Sequence, residues 1–443
     1  MTTGLSIDAN WETLDRGSPE ERACFSAIGI RFGDIWLSEA DDRFVNRVRE
    51  RPHLSGYHLA EWLAWSWWRH RWEPQSTTVD WSLAHKMSSI GGGYLWPNIT
   101  TFSDGERVVL IAKPTQPRPS EPLRYIADFV AVVRAGSFES AIDNFIVQIV
   151  DQLGSKKVEQ TNLHRIWSDV SEERLDHDAS MRRRFEAMLG YDPDEAKEQT
   201  IEQLVGEAQR FGEEAVRELA AHSGRTGTLI TSVELERLAS SSGLEARAQD
   251  AVSLARTRSL SPIGQVPAWK RGAEAADAIR DQERLGDAPI DNSTLTTLAG
   301  VQRDAIERRP SERLDLSFAW DVKGGSRRVV LRSKWPTGRR FEVGRLLGDQ
   351  LAIPAGGSLR PATRAYTYRQ KMQRSFAAEL LCPTRAALDL LKGDFTSDAI
   401  EDVADHFMVS ERTVRTLLVN HGYLEREDLG GGEVEPATRP EAA

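Results

Sequence analysis

RRFEVGRLLGDQL (residues 339–351) and MQRSFAAELLCP (residues 372–383) decide how the last third of the chain is read. The first predicts a helix from about Phe341 to Leu351. The second closes a helix expected over Ala365–Leu381, which stops before Pro383 because proline cannot continue it. Between them IPAGGSLRP (353–361) is rich in glycine and proline and reads as a loop. Upstream, strands are expected at Leu314–Trp320 and Arg328–Arg332, after a short helix at Ser293–Leu298. Downstream, Ala404, Val409, Val414 and Leu418 fall at helix-turn-helix spacing. Ser410 is placed to cap the second helix of that pair, and Glu411, Arg412 and Arg415 point outward near its start. Met408 stands where such a tight turn favours glycine.

The two quoted helices resemble those of the ImmA/IrrE metallopeptidase family, whose active helix reads roughly R-F-x-x-A-H-E-L-G-H. In that pattern two histidines one turn apart hold a zinc ion, and the glutamate between them activates the bound water. Here the first histidine position is Arg345, the glutamate position is Leu346 and the second histidine position is Asp349, while Leu347 and Gly348 match. The family's second helix reads roughly E-A-N-x-F-A-A-E-L-L-M-P. Phe376, Ala377, Ala378, Glu379, Leu380, Leu381 and Pro383 match it, and Met372 replaces the ligand glutamate. AEAADAIRDQERLGDAPID (273–291) also has the family's look, so the resemblance spans roughly 270–425. It implies a degenerate zincin-like domain without metal ligands or general base, since a guanidinium cannot be deprotonated to bind a cation. Active relatives cleave repressors in mobile-element or stress regulation. By analogy this chain would act in transcription regulation, mobile-element control or phage defence without cutting.

Working toward the N-terminus, residues 137–224 are helical: FESAIDNFIVQIVDQL, SEERLDHDASMRRRFEAMLG (capped by Ser171, ended by Gly190), and a third helix broken near Gly212. Residues 230–285 stay mostly helical. Before them, ACFSAIGIRFGDIWL (23–37) reads as strand-turn-strand, and Ile99–Phe102 with Val108–Ala112 as a hairpin. KPTQPRPSEP (113–122) is a loop and Tyr125–Val133 a strand. GYHLAEWLAWSWWRHRW (56–72) is an amphipathic helix with an aromatic face. The chain holds 13 tryptophans, and seven of them fall between Trp62 and Trp96. Trp62, Trp65, Trp68 and Trp72 recur at helical spacing, which fits a core and, as the functional alternative, a partner-binding patch. His58, His70 and His85 lie nearby and suit aromatic packing better than a metal.

The expected fold is thus α+β, multidomain and predominantly helical. It comprises a tryptophan-rich α/β domain (1–135), a helical domain (136–270), the degenerate ImmA/IrrE-like domain with its helix-turn-helix-like pair (271–426) and a disordered tail (427–443). With 443 residues, 40% of them hydrophobic, the chain can bury more than one core. Its two cysteines, Cys24 and Cys382, suit a reducing compartment and exclude a cysteine-based zinc finger. No run of about 18 apolar residues occurs, and the first residues lack a signal-peptide pattern, so a cytoplasmic protein off the membrane is expected. No P-loop, G-x-G-x-x-G, G-x-S-x-G or H-x-x-x-H occurs, so no catalytic residue and no cofactor is named.

The net charge of −10 argues against a generic nucleic-acid coat, but the charge is segregated. From Lys323 to Arg374 thirteen lysines and arginines face two acids, a net +11 that leaves the remainder at −21. Lys323, Arg327, Arg328, Arg332, Lys334, Arg339, Arg340, Arg364 and Arg369, together with Arg412 and Arg415, are therefore the candidate contacts to DNA or RNA. The alternative reading makes the chain a protein-interaction subunit of a larger assembly, using the tryptophan-rich domain. An active zinc peptidase is the weakest reading.

Overall fold

The computed structural model describes residues 4–76, 78–116, 122–255, 259–310, 315–322, 326–353 and 357–425. The protein is α+β and about half helical, with seventeen helices and four small antiparallel sheets among those residues. It divides into two compact units, Met1–Ile201 and Glu202–Ala443. Lys323 and the tail over 427–443 lie outside the described residues.

In the first unit β1 (Leu5–Trp11) pairs along β2 (Phe25–Phe32), which follows the short helix α1 (Pro19–Cys24). A turn at Gly33 leads to β3 (Ile35–Trp36), so the expected strand-turn-strand is present. β4 (Ala40–Asp42), β5 (Arg47–Arg49) and β6 (His53–Ser55) precede the tryptophan helix. That helix is broken at Ser66 into α2 (Gly56–Trp65) and α3 (Trp67–Trp72), and α4 (Val79–His85) follows. β7 (Ile99–Ser103) and β8 (Arg107–Ala112) form the expected hairpin, with Phe102 opposite Val109. β9 (Leu123–Tyr125) and β10 (Phe129–Arg134) divide the single strand expected there.

Helix α5 (Ala135–Ser155) buries Phe138, Ile142, Phe145, Ile146, Ile149 and Leu153, one stripe at helical spacing. It is tied to β1 and α1: Gln148 donates to the Ala9 carbonyl at 3.2 Å and Gln152 to the Ala23 carbonyl at 3.0 Å. Next come α6 (Asn162–Leu175), capped by Thr161, and α7 (His177–Leu189), capped by Asp176. The single helix expected from Ser171 is thus two, because Asp176 takes an extended backbone and its carboxylate accepts from Ala179 N. Gly190 ends α7 in the left-handed conformation, as expected. The unit boundary falls in the first turn of α8 (Glu198–Phe211).

The second unit opens with α9 (Glu213–Thr226), separated from α8 at Gly212, and α10 (Ser232–Ser242). Its sheet has the order β11 (Leu244–Arg247), β13 (Ser326–Val330), β12 (Ser317–Asp321), β14 (Leu359–Ala362). Two of these strands differ from expectation. β11 lies in a stretch read as helical, and β14 in the glycine- and proline-rich loop. Pro361 is tolerated because β14 is an edge strand. Helix α13 (Pro336–Ala352) packs on β12 and β14 of this sheet, and α11 (Ala268–Gln282), α12 (Asn292–Ala299) and α14 (Tyr368–Leu381) pack on α13. α15 (Thr384–Leu391), α16 (Ser397–Phe407) and α17 (Glu411–Asn420) close the unit.

Candidate functional site

The quoted helices meet at close range. A Cβ on Gly348 of α13 would lie 2.5 Å from the Phe376 ring of α14, and one on Gly272 of α11 would lie 2.5 Å from the Met372 carbonyl. Glycine at these positions lets the three helices approach, which explains why Gly348 stands beside Asp349.

Arg345 and Asp349 sit one turn apart on α13, and both are buried. Asp349 has no exposed surface. Its Oδ1 accepts from Arg369 Nε at 2.6 Å and Gln373 Nε2 at 2.7 Å, and its Oδ2 from Arg369 Nη2 at 2.6 Å and Arg360 Nη1 at 3.4 Å. Four donors fill about the four lone-pair sites of a carboxylate. Burial works against this charge, but Arg369, its hydrogen bonds and Arg360 outweigh burial and hold the Asp349 carboxyl below its ordinary range. Arg345 Nη2 donates to the Thr363 carbonyl at 2.8 Å, to Gln370 Oε1 at 2.5 Å and to Gln373 Oε1 at 3.3 Å. Burial, and then the nearby Arg374, lower its guanidinium from the usual range. Gln370 and Gln373 also donate to the Pro361 carbonyl, both at 3.0 Å, which locks α14 to β14. From α9, the buried Glu218 accepts from Thr367 Oγ1 at 2.6 Å. Burial raises its carboxyl above the usual range against the pull of Arg369.

This donor set does not fit zinc. Arg345 is a cation, Met372 is fully buried in the apolar core, and the oxygens of Asp349 are taken. Among the described residues no group of three or more histidines, cysteines, aspartates or glutamates is arranged to hold a metal.

The basic segment is largely internal, which corrects the surface expected for it. Arg327 is buried, pairs with Asp321 at 2.5 Å and donates to Gln350. Arg339 is buried and donates to the carbonyls of Ile306, Ser333 and Lys334. Arg340, also buried, reaches Asn292 Oδ1 and the Ile290 carbonyl, each at 2.5 Å. Arg369 serves Asp349. The physical reason is the planar five-donor guanidinium, which satisfies several carbonyls at once where elements end. Arg328 is partly exposed and paired with Glu245 at 3.2 Å, Arg332 faces Glu342 at 3.5 Å, and Lys334 and Arg364 are exposed.

The α16–α17 pair has the expected construction. Thr396 and Ser410 cap the two helices, and Met408 takes φ 54°, ψ 44° between them. Arg412 is exposed and Arg415 donates to Ser397 Oγ at 2.9 Å. Thr413 is buried against Ser410, so it presents no base-reading group.

The tryptophan stripe also divides. Trp68 and Trp72 are buried: Trp68 donates to Glu173 at 2.9 Å, and the Arg71 and Arg184 guanidiniums lie over the Trp72 ring. Trp62 is half-buried against His70, and Trp65 is half exposed. A patch formed by all four is therefore excluded, because core packing takes two of them. Sequence reasoning missed Glu73, which binds the flagged His85 at 2.8 Å and Arg69 at 2.6 Å. It also missed Glu218 and His222, whose i, i+4 spacing on α9 was the available signal.

Compared with known proteins, the chain matches no family model, no curated protein and no solved structure.

Proposed function

We propose that this chain is a non-catalytic regulatory protein on an ImmA/IrrE-like C-terminal scaffold, binding nucleic acid through the α16–α17 pair rather than cutting a substrate. The observation that carries this reading is the Arg345–Asp349–Arg369 network. It stands where the resemblance would put two zinc ligands, and both oxygens of its carboxylate are already engaged. The exposed Arg412 at the capped start of α17 supplies the contact group.

Two measurements test it. After zinc loading and dialysis, the full chain should retain no stoichiometric zinc and cleave no unfolded protein substrate. One equivalent of zinc with proteolysis lost in Asp349→Ala would overturn the reading. Labelled duplex DNA, single-stranded DNA and RNA titrated across a salt series should show affinity falling with salt, by a slope of about 0.9 per phosphate contact on a duplex. Arg412→Gln should lower both affinity and slope. Arg339 and Arg340 are unsuitable targets because both are buried.

A second reading, a protein-interaction subunit, is favoured by the apolar turn between β4 and β5, where Phe44 is 87% exposed beside the exposed Val45 and Val48. On that reading Phe44→Asp would abolish assembly with the partner while DNA binding stayed unchanged.

A further inference from the structure

His222 lies on α9 one turn beyond Glu218. It has no exposed surface, and neither ring nitrogen has a hydrogen-bond partner. A buried polar group in that state costs free energy that a ligand can return. The charges of three arginines from different segments act on it: Arg225 of α9 itself, Arg332 after β13, and Arg364 after β14. The guanidiniums of Arg225 and Arg374 lie 4.4 and 5.3 Å from the centre of the Tyr366 ring, which brings α14 into the same cluster. Arg374 donates through both Nη atoms to the Ala365 carbonyl at 3.1 Å, so its position is fixed. The opposing carboxylates are Glu218, buried one turn back on α9 and accepting from Thr367, Asp315, exposed just before β12, and Glu342, which faces Arg332 and accepts from Ser333 N at 2.9 Å. Burial first, and then Arg364, Arg332 and Arg225 set against Asp315, bring the imidazole down to about 4. At neutral pH it is uncharged, beside an excess of cations.

We propose that His222, Arg225, Arg332, Arg364 and Arg374 form a binding site for a phosphate group, carried by a free phosphomonoester or by a nucleic-acid backbone. What points to an anion is the charge these arginines bring together and the two orphan nitrogens, not any lack of contacts at the guanidiniums. A tetrahedral anion accepts paired guanidinium hydrogen bonds. Its charge also lets His222 take up a proton, after which both ring nitrogens are donors. Arg364, which is exposed, gives the solvent side of the cluster. The site is independent of the metallopeptidase resemblance and of α17.

The test is calorimetric titration of the full chain with inorganic phosphate at about pH 6 and about pH 7.5, in two buffers of different ionisation heat. Saturable binding is expected, with a net proton uptake by the protein once the second ionisation of phosphate itself is subtracted by comparison with His222→Gln. Arg364→Gln and Arg225→Gln should each weaken it about tenfold or more. His222→Gln should retain weaker binding and lose the proton uptake. Should that buried variant fail to fold, the two arginine variants keep the test decisive. A short single-stranded oligonucleotide separates the sources. If it binds and phosphate displaces it, the ligand is a backbone phosphate; if phosphate binds and the oligonucleotide does not, it is a free monoester. Absence of heat up to about 10 mM phosphate at both pH values, or binding unaltered by Arg225→Gln and Arg364→Gln, would overturn the assignment.

Discussion

Asp349 in the second unit and Glu73 in the first meet the same problem with different partners. Each is a buried carboxylate compensated by cations. Asp349 is held by Arg369 and Arg360, both permanent charges, and by the amide of Gln373. Glu73 is held by Arg69 at 2.6 Å and by His85 at 2.8 Å. His85 also bonds the Thr101 carbonyl through its other nitrogen and stacks on Trp81 at 4.4 Å. Burial opposes the Glu73 charge, and His85 and Arg69 outweigh it. The difference teaches that one buried carboxylate can be compensated by guanidiniums and an amide, and another by a guanidinium and an imidazole that is itself held between two acceptors. Buried ion pairs need not add net stability, but breaking one leaves a charge stranded.

The largest effect follows from that asymmetry. Asp349→Ala strands two buried guanidiniums and should destabilise the second unit by about 3–5 kcal/mol, read by urea unfolding followed by circular dichroism. Glu73→Ala should cost less, about 2–3 kcal/mol. Arg69 keeps Asp192 at 3.2 Å, and His85 keeps the Thr101 carbonyl. Ten of the thirteen tryptophans lie within Met1–Ile201, so their fluorescence reports the first unit. Equal costs for the two substitutions would break the comparison.

Acid should then sharpen it. His70 is fully buried and donates to the Ala84 carbonyl at 2.7 Å. Burial, then the charges of His85 and Arg69, hold its imidazole well below the ordinary range. The unfolded chain takes up this proton near pH 6.5 and the folded one only at lower pH. The stabilisation is therefore complete above about pH 6.5 and falls by up to about 1.4 kcal/mol per pH unit below it. Glu73, whose carboxyl is lowered, contributes above about pH 4.3 and is lost only as pH falls further. The two losses are thus ordered, histidine first. Fluorescence-detected urea midpoints should decline from about pH 6.5 to about pH 5. His70→Gln should flatten that decline, and an unchanged pH profile in the variant would remove His70 from the account.

The same comparison shows what a sequence can carry. The α13 and α14 helices, the β7–β8 hairpin and the glycine breaks at 190 and 212 are local signals and were legible. β11 and β14 were not, because their pairing is long-range: Leu244 lies opposite Val329, and Pro361 opposite Phe318 in a stretch whose composition says loop. Arg345 and Asp349 were legible as positions, but their partners Arg360, Gln370 and Gln373 were not. A run of arginines looks alike whether it faces water or carbonyl oxygens. Only the fold shows that Arg327, Arg339 and Arg340 turn inward while Arg364 does not.

Met408 gives the smallest effect and the opposite sign. Its left-handed backbone, φ 54°, closes α16 and aims the chain at the Ser410 cap of α17. A side chain in that conformation costs about 1–2 kcal/mol relative to the right-handed one, a penalty glycine does not bear. Met408 is 37% exposed, so little packing is lost on its removal. The greater freedom of glycine in the unfolded chain offsets part of the gain, by about 0.4–1 kcal/mol. Met408→Gly should therefore stabilise the helix pair by about 0.5–1 kcal/mol, seen as a raised urea midpoint. Unlike the substitutions at Asp349 and Glu73, it touches no charge, so its effect should be the same at about pH 7.5 and about pH 5. A destabilised variant would mean that the Met408 side chain, rather than its backbone, holds the two helices together.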